Sequence, residues 1–121
     1  MERTISETPE KWVILKISSE VDSEIEENYK IFGTWAGGYL GSDSWKINSG
    51  IKRIEEDENS YYFYGYSGSC YKCSKSGYGI ITSYGYGILE NIIKKSNTIE
   101  GVSAILLSEE ESINYIKNKE L

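Results

Sequence analysis

Histidine is absent from this chain of 121 residues. Without an imidazole, Ser-His-Asp and Cys-His catalysis, the HExxH metalloprotease helix and every His-ligated metal site are excluded. Cysteine occurs twice, as Cys70 and Cys73, too seldom for a disulfide-rich secreted scaffold. Proline occurs once, at Pro9, where it closes a polar N-terminal arm, residues 1–10, expected to be flexible. Apolar runs are short, as in Val13-Ile14-Leu15, against the roughly 20 residues that a membrane-spanning helix needs. No apolar segment follows Met1 to form the core of a signal peptide. The expectation is a cytoplasmic protein with reduced thiols and no membrane contact.

Positive charge is also scarce. Thirteen Lys and Arg stand against nineteen Asp and Glu, a formal net charge of −6, which argues against a binder of bulk DNA or RNA. The imbalance is local. Residues 18–27 hold Glu20, Asp22, Glu24, Glu26 and Glu27 and no base, whereas residues 59–89 hold no acid and only Lys72 and Lys75. That acid-free stretch also carries Tyr61, Tyr62, Tyr64, Tyr66, Tyr71, Tyr78, Tyr84 and Tyr86. A segment so unlike the rest is where a special surface is expected.

The hydrophobic pattern predicts mostly strands. Lys11–Ile17 reads as a strand with Val13, Leu15 and Ile17 on one face and Trp12, Ile14 and Lys16 on the other. Ser18 to Glu27 reads as a solvated loop or short helix. Further strands are expected at Tyr29–Trp35, from Ser44 to Asn48 with a possible extension through Gly50 to Ile54, and at Tyr61–Tyr66, Ser69–Ser74 and Tyr78–Thr82, with a polar turn at Glu55–Asn59. Near the C-terminus the period becomes helical at Ile88, Leu89, Ile92 and Ile93, with Lys94 and Lys95 suited to the negative end of the dipole. Val102–Leu107 reads as a last strand, and Ser108 with Glu111 matches a capping box that opens a second helix. The predicted fold is a single α+β domain over residues 1–121: an antiparallel meander of five to seven strands with two short C-terminal helices. One helix is expected to pack on one sheet face, leaving aromatics on the other face near solvent or near a second copy of a homo-oligomer.

Four motifs bear on chemistry. Cys70-Tyr71-Lys72-Cys73 is a lone CxxC; two thiols without imidazoles fall short of a zinc site, and structural, redox and metal roles stay open. Tyr66-Ser67-Gly68-Ser69 fits a tight hairpin turn and, alternatively, a small anion-binding concavity. Tyr62, Tyr64 and Tyr66 alternate along one strand face, as either a stacking platform or cross-strand packing. Trp35 and Trp45 flank a glycine-rich loop that could form the lip of a pocket, with Asp43, Ser44 and Asn48 to orient a polar ligand, or else both are core anchors. No nucleophile–base pair is present, so the expectation is a protein that is not an enzyme and needs no cofactor or metal.

The stretches Phe32-Gly33-Thr34-Trp35-Ala36-Gly37-Gly38-Tyr39-Leu40, Asp43 to Ile51 and Tyr62 to Cys73 resemble a family of small proteins encoded by bacteriophages and prophages. The resemblance covers roughly residues 29–95 and brings no catalytic motif with it. It implies an accessory protein that counters host defences by occupying a host protein or sequestering a nucleotide signal. Two binding modes follow. In the first, Tyr62, Tyr64, Tyr66, Trp35 and Trp45 surround a small nucleotide-like ligand whose phosphates meet Arg53, Ser67, Ser69, Lys72 and Lys75. In the second, the acidic stretch Glu20 to Glu27 meets a basic host protein, with tyrosines as anchors.

Overall fold

The computed structural model describes residues 4–36, 44–80 and 83–120, and its layering follows from strand β1 (Lys11–Val21). Trp12, Val13, Ile14 and Leu15 are all buried, so both faces of β1 must be covered. Trp12 and Ile14 point into one apolar cluster, and Val13 and Leu15 into another. The alternation expected from the sequence is therefore real, with a separate layer on each side.

β1 pairs antiparallel with β2 (Glu24–Trp35) along its whole length, from Lys11 opposite Thr34 to Val21 opposite Glu24. β3 (Ser44–Ile47) adds to β2 at Phe32–Trp35, and β7 (Val102–Leu106) adds to β1, giving a four-stranded sheet in the order β3-β2-β1-β7. β4 (Ile51–Glu56), β5 (Ser60–Gly65) and β6 (Cys70–Ser74) form a second, three-stranded sheet. Ile51, Ile54, Phe63, Tyr71 and Cys73 of this sheet pack on Trp12, Ile14 and Ile31 of the first. Helix α1 (Ser83–Ser96) covers the opposite face of the larger sheet, through Leu89 and the partly buried Ile88, Ile92 and Ile93. Helix α2 (Glu109–Glu120) lies beside the small sheet and contributes Ile116 to the core between the sheets. The α+β class, the antiparallel pairing and the strand number agree with the sequence expectation; the single meander is corrected to two sheets.

The split occurs at Asn48–Gly50, where the sequence allowed one continuous strand. Asn48 adds a last rung to the β2 edge: its N–H donates to the Ile31 carbonyl at 3.1 Å, and its Oδ1 accepts from the Ile31 N–H at 2.8 Å. Gly50 then takes φ 131°, a conformation open to glycine, and the chain leaves for the other sheet. A β-carbon at Gly50 would also lie 2.5 Å from Asn28 Oδ1.

Three further expectations change. The acidic stretch is neither loop nor helix; β1 and β2 run through it to a two-residue turn at Asp22 (φ 52°) and Ser23 (φ 68°), the backbone of a primed hairpin turn that matches the twist of the flanking strands. No strand forms at Tyr78; it makes an isolated bridge to Trp12, and residues 81–82 lie outside the described residues. The N-terminal segment, expected as a flexible arm, is hydrogen-bonded from Ser6 to Glu10. Ser6 and Glu7 donate to the Cys70 carbonyl, Lys72 donates to Glu7, and Glu10 donates to Thr34. The free edge of β6 needs such partners, and Pro9 sits against Gly33 on β2, so the segment joins the two sheets. The capping box forms as expected: Ser108 N–H donates to Glu111 Oε1 at 2.9 Å, and Glu111 N–H donates to Ser108 Oγ at 3.1 Å. Among the described residues no helix is long and apolar enough to cross a membrane.

Candidate functional site

The outer face of the small sheet carries part of the predicted binding set. Strand pairing places Tyr64 between Arg53 and Cys70, and Tyr62 between Glu55 and Lys72. These side chains already bind one another. The Tyr64 hydroxyl donates to Glu55 Oε1 at 2.8 Å, and Arg53 Nη1 meets Glu55 Oε2 at 2.7 Å. The Arg53 guanidinium lies 4.0 Å from the Tyr64 ring centre, so one carboxylate, one phenol and one cation form a closed group. Tyr62 is only 5% exposed, and its hydroxyl donates to Asp57 Oδ2 at 2.6 Å. Lys75 pairs with Glu56 at 3.5 Å and stands over the Tyr61 ring.

The remaining predicted residues are dispersed. Tyr66 is 62% exposed at the start of the β5–β6 hairpin, whose turn closes through Gly65 donating to Ser69 and Gly68 donating to Gly65. Ser67 donates its N–H to Ser49 Oγ at 3.0 Å, and its hydroxyl contacts Ser69 Oγ at 3.5 Å. Trp35 donates its indole N–H to the Thr8 carbonyl. Trp45 stacks on Phe32 with ring centres 5.6 Å apart and belongs to the cluster under α1. It therefore lies across the sandwich from Tyr62 and Tyr64 and cannot share a ligand with them. Asp43 and the rest of the loop between the two tryptophans lie outside the described residues. Cys70 and Cys73 are both buried, and burial, then the neighbouring Cys70, pushes the Cys73 thiol well above its usual range, away from thiolate chemistry. No group of three or more potential metal ligands exists among the described residues.

Asp57 gives a direct pH test. The Tyr62 hydroxyl, then the N–H groups of Asn59 and Ser60, lower its carboxyl from 3.8 to about 2. A carboxyl whose folded pKa is depressed contributes stability that is present above its unfolded pKa and lost as pH falls through the folded value. The urea midpoint is expected to fall as pH drops from about 4 to about 2. Asp57→Asn should flatten that part of the profile; an unchanged profile would show that the Tyr62 bond does not form in solution.

The second candidate surface is the acidic stretch Glu20 to Glu27, which the structure places on the distal half of the β1–β2 hairpin. Strand alternation puts Glu24 and Glu26 on one face, opposite Val21 and Ser19, and Glu20 beside Ile25 on the other. Lys16 meets Glu27 at 2.6 Å; the pairing lowers the Glu27 carboxyl and raises the Lys16 ammonium. Glu20, Asp22, Glu24 and Glu26 are exposed and form no ion pair among the described residues. At the base of the hairpin Tyr29 stacks on Tyr115 of α2, ring centres 4.0 Å apart, beside a surface hollow lined by Lys16, Ile105, Glu111 and Asn118. Burial raises the phenol pKa of both tyrosines. The signal missed in the sequence is an apolar residue among acids, Glu24-Ile25-Glu26, directly after an Asp-Ser turn.

No protein-family model, curated protein or solved structure matches the chain.

Proposed function

We propose that the protein is a non-enzymatic binding protein that docks a basic partner protein through the acidic β1–β2 hairpin. The observation that carries this reading is the display of Glu20, Asp22, Glu24 and Glu26 on a paired strand hairpin, exposed and with no ion pair among the described residues. Such an array attracts a positive surface over distances of the order of the Debye length, about 8 Å at physiological salt. A host factor is the partner that the resemblance to phage proteins suggests. Sequestration of a small nucleotide-like ligand has less support, since Arg53 and Lys75 are ion-paired, Tyr62 is buried, and Trp45 lies on the other side of the molecule.

The test is capture of host proteins on the immobilised chain across a salt series, beside a variant carrying Glu20→Gln, Asp22→Asn, Glu24→Gln and Glu26→Gln. Capture is expected to weaken about tenfold or more between low and high salt and to vanish in the variant, whose urea midpoint should stay near that of the parent. Salt-insensitive capture, or capture retained by the variant, would refute the reading.

A further inference from the structure

Several edges of the two sheets already have partners among the described residues. The β6 edge is covered from Cys70 to Lys72 by Ser6 and Glu7. The β7 edge is closed at its centre by one side chain, since Asn97 Oδ1 accepts from the Ala104 N–H at 2.9 Å and Asn97 Nδ2 donates to the Ala104 carbonyl at 3.4 Å. Asn97 thus occupies the place of a neighbouring strand. α2 lies against β4, and β3 is only four residues long. On the β2 edge, strand pairing with β3 ends at Phe32 and the Asn48 side chain closes Ile31. Beyond that point Gly50 lies against the Asn28 side chain, and no strand pairs with the edge among the described residues.

The direction of the open groups follows from parity. Ile31 turns its N–H and C=O away from β1, toward Asn48, so Tyr29, Glu27 and Ile25 present theirs on the same side. None of these three N–H groups has an acceptor among the described residues. Ile25 is also 72% exposed, which leaves an apolar side chain beside the open ladder. An unpaired row of amides is a template for another strand.

We propose that the β2 edge from Ile25 to Tyr29 receives an extended basic segment of the partner by strand addition. The inference rests on the hairpin reading above and specifies how that partner is held. Glu24 and Glu26 share a face two residues apart with no base opposite them on β1, so an added strand meets them best with Lys or Arg at alternate positions. A second copy of this chain is met less well, because antiparallel pairing of β2 with β2 about Glu27 leaves Glu26 opposite Asn28 and sets Glu27 against its own copy, with Glu24 facing Lys30 as the one opposite-charge pair.

The test is amide hydrogen exchange of the full chain, followed by NMR, with a short peptide alternating Lys and Thr. Exchange at Ile25, Glu27 and Tyr29 is expected to slow by about tenfold or more, while Ala104 stays unchanged. The same peptide N-methylated at alternate residues should give no protection. Ile25→Pro removes one edge N–H without removing a bond to β1 and without changing charge; it should reduce the protection at Glu27 while the urea midpoint stays close to that of the parent. Peptide binding that leaves the three amides unprotected would overturn strand addition and leave the electrostatic reading standing. Absence of peptide binding alongside persistent salt-dependent capture of host protein would do the same. Protection that grows with protein concentration alone would overturn the choice of occupant in favour of a second copy.

Discussion

Trp12→Ala is expected to lower the unfolding free energy by about 3–5 kcal/mol, read from the urea midpoint at constant slope. Trp12 is 2% exposed and stands where the sheets meet. Its ring touches Tyr61, Phe63 and Tyr78 at centroid distances of 5.9, 5.3 and 5.0 Å. Truncation leaves a cavity bounded by elements from both sheets, and neither can close it without breaking strand pairing. The indole N–H also donates to the Ser74 carbonyl at 2.7 Å, tying the end of β6 to β1. Trp12→Phe separates the two contributions: it keeps most of the ring packing and loses the hydrogen bond, so a smaller loss of about 1–3 kcal/mol is expected. A loss under about 1 kcal/mol for Trp12→Ala would mean that the two sheets do not share this core in solution.

Tyr78→Phe is expected to cost about 1–3 kcal/mol although it removes a single oxygen. The Tyr78 hydroxyl donates to the Leu107 carbonyl and accepts from Ser112 Oγ at 2.8 Å. Ser112 is buried on α2, so the phenylalanine would leave a hydroxyl and a carbonyl facing an apolar ring. The residue lies where the segment after β6 crosses Trp12, with Gly79 N–H donating to the Trp12 carbonyl at 2.8 Å. Its loss should therefore loosen α2 selectively. Exchange of α2 amides is expected to speed up more than exchange in β1 and β2; uniform acceleration would show that α2 docking does not depend on this hydroxyl. The double variant Tyr78→Phe/Ser112→Ala should recover part of the loss, because it removes the stranded donor as well.

The candidate sites show where residue chemistry is legible in the sequence and where it is not. The tyrosine alternation on β5 is visible in the primary structure, and strand pairing does place Tyr62 and Tyr64 on one face. Their availability was not visible. Whether a phenol meets a ligand or a neighbouring carboxylate depends on what stands on the adjoining strand and turn, here Glu55, diagonal to Tyr64 on β4, and Asp57 in the turn for Tyr62. Conversely, a run of acids has poor strand propensity, so Ser18 to Glu27 reads locally as a solvated loop or short helix. Pairing with β1 over eleven residue positions overrode that local preference.

Local pattern was sufficient for the elements whose partners lie nearby: the alternating faces of β1, the β4–β5 and β5–β6 hairpins, the capping box of α2 and the basic last turn of α1. Each depends on side chains within a few positions of one another. The division of seven strands into two sheets, the seating of Trp45 under α1, the anchoring of residues 6–10 and the closure of the β7 edge by Asn97 all depend on groups far apart in the chain. Those outcomes are set by which apolar faces and backbone edges still lack a partner once the hairpins have formed, a condition that exists only when the whole chain is folded together.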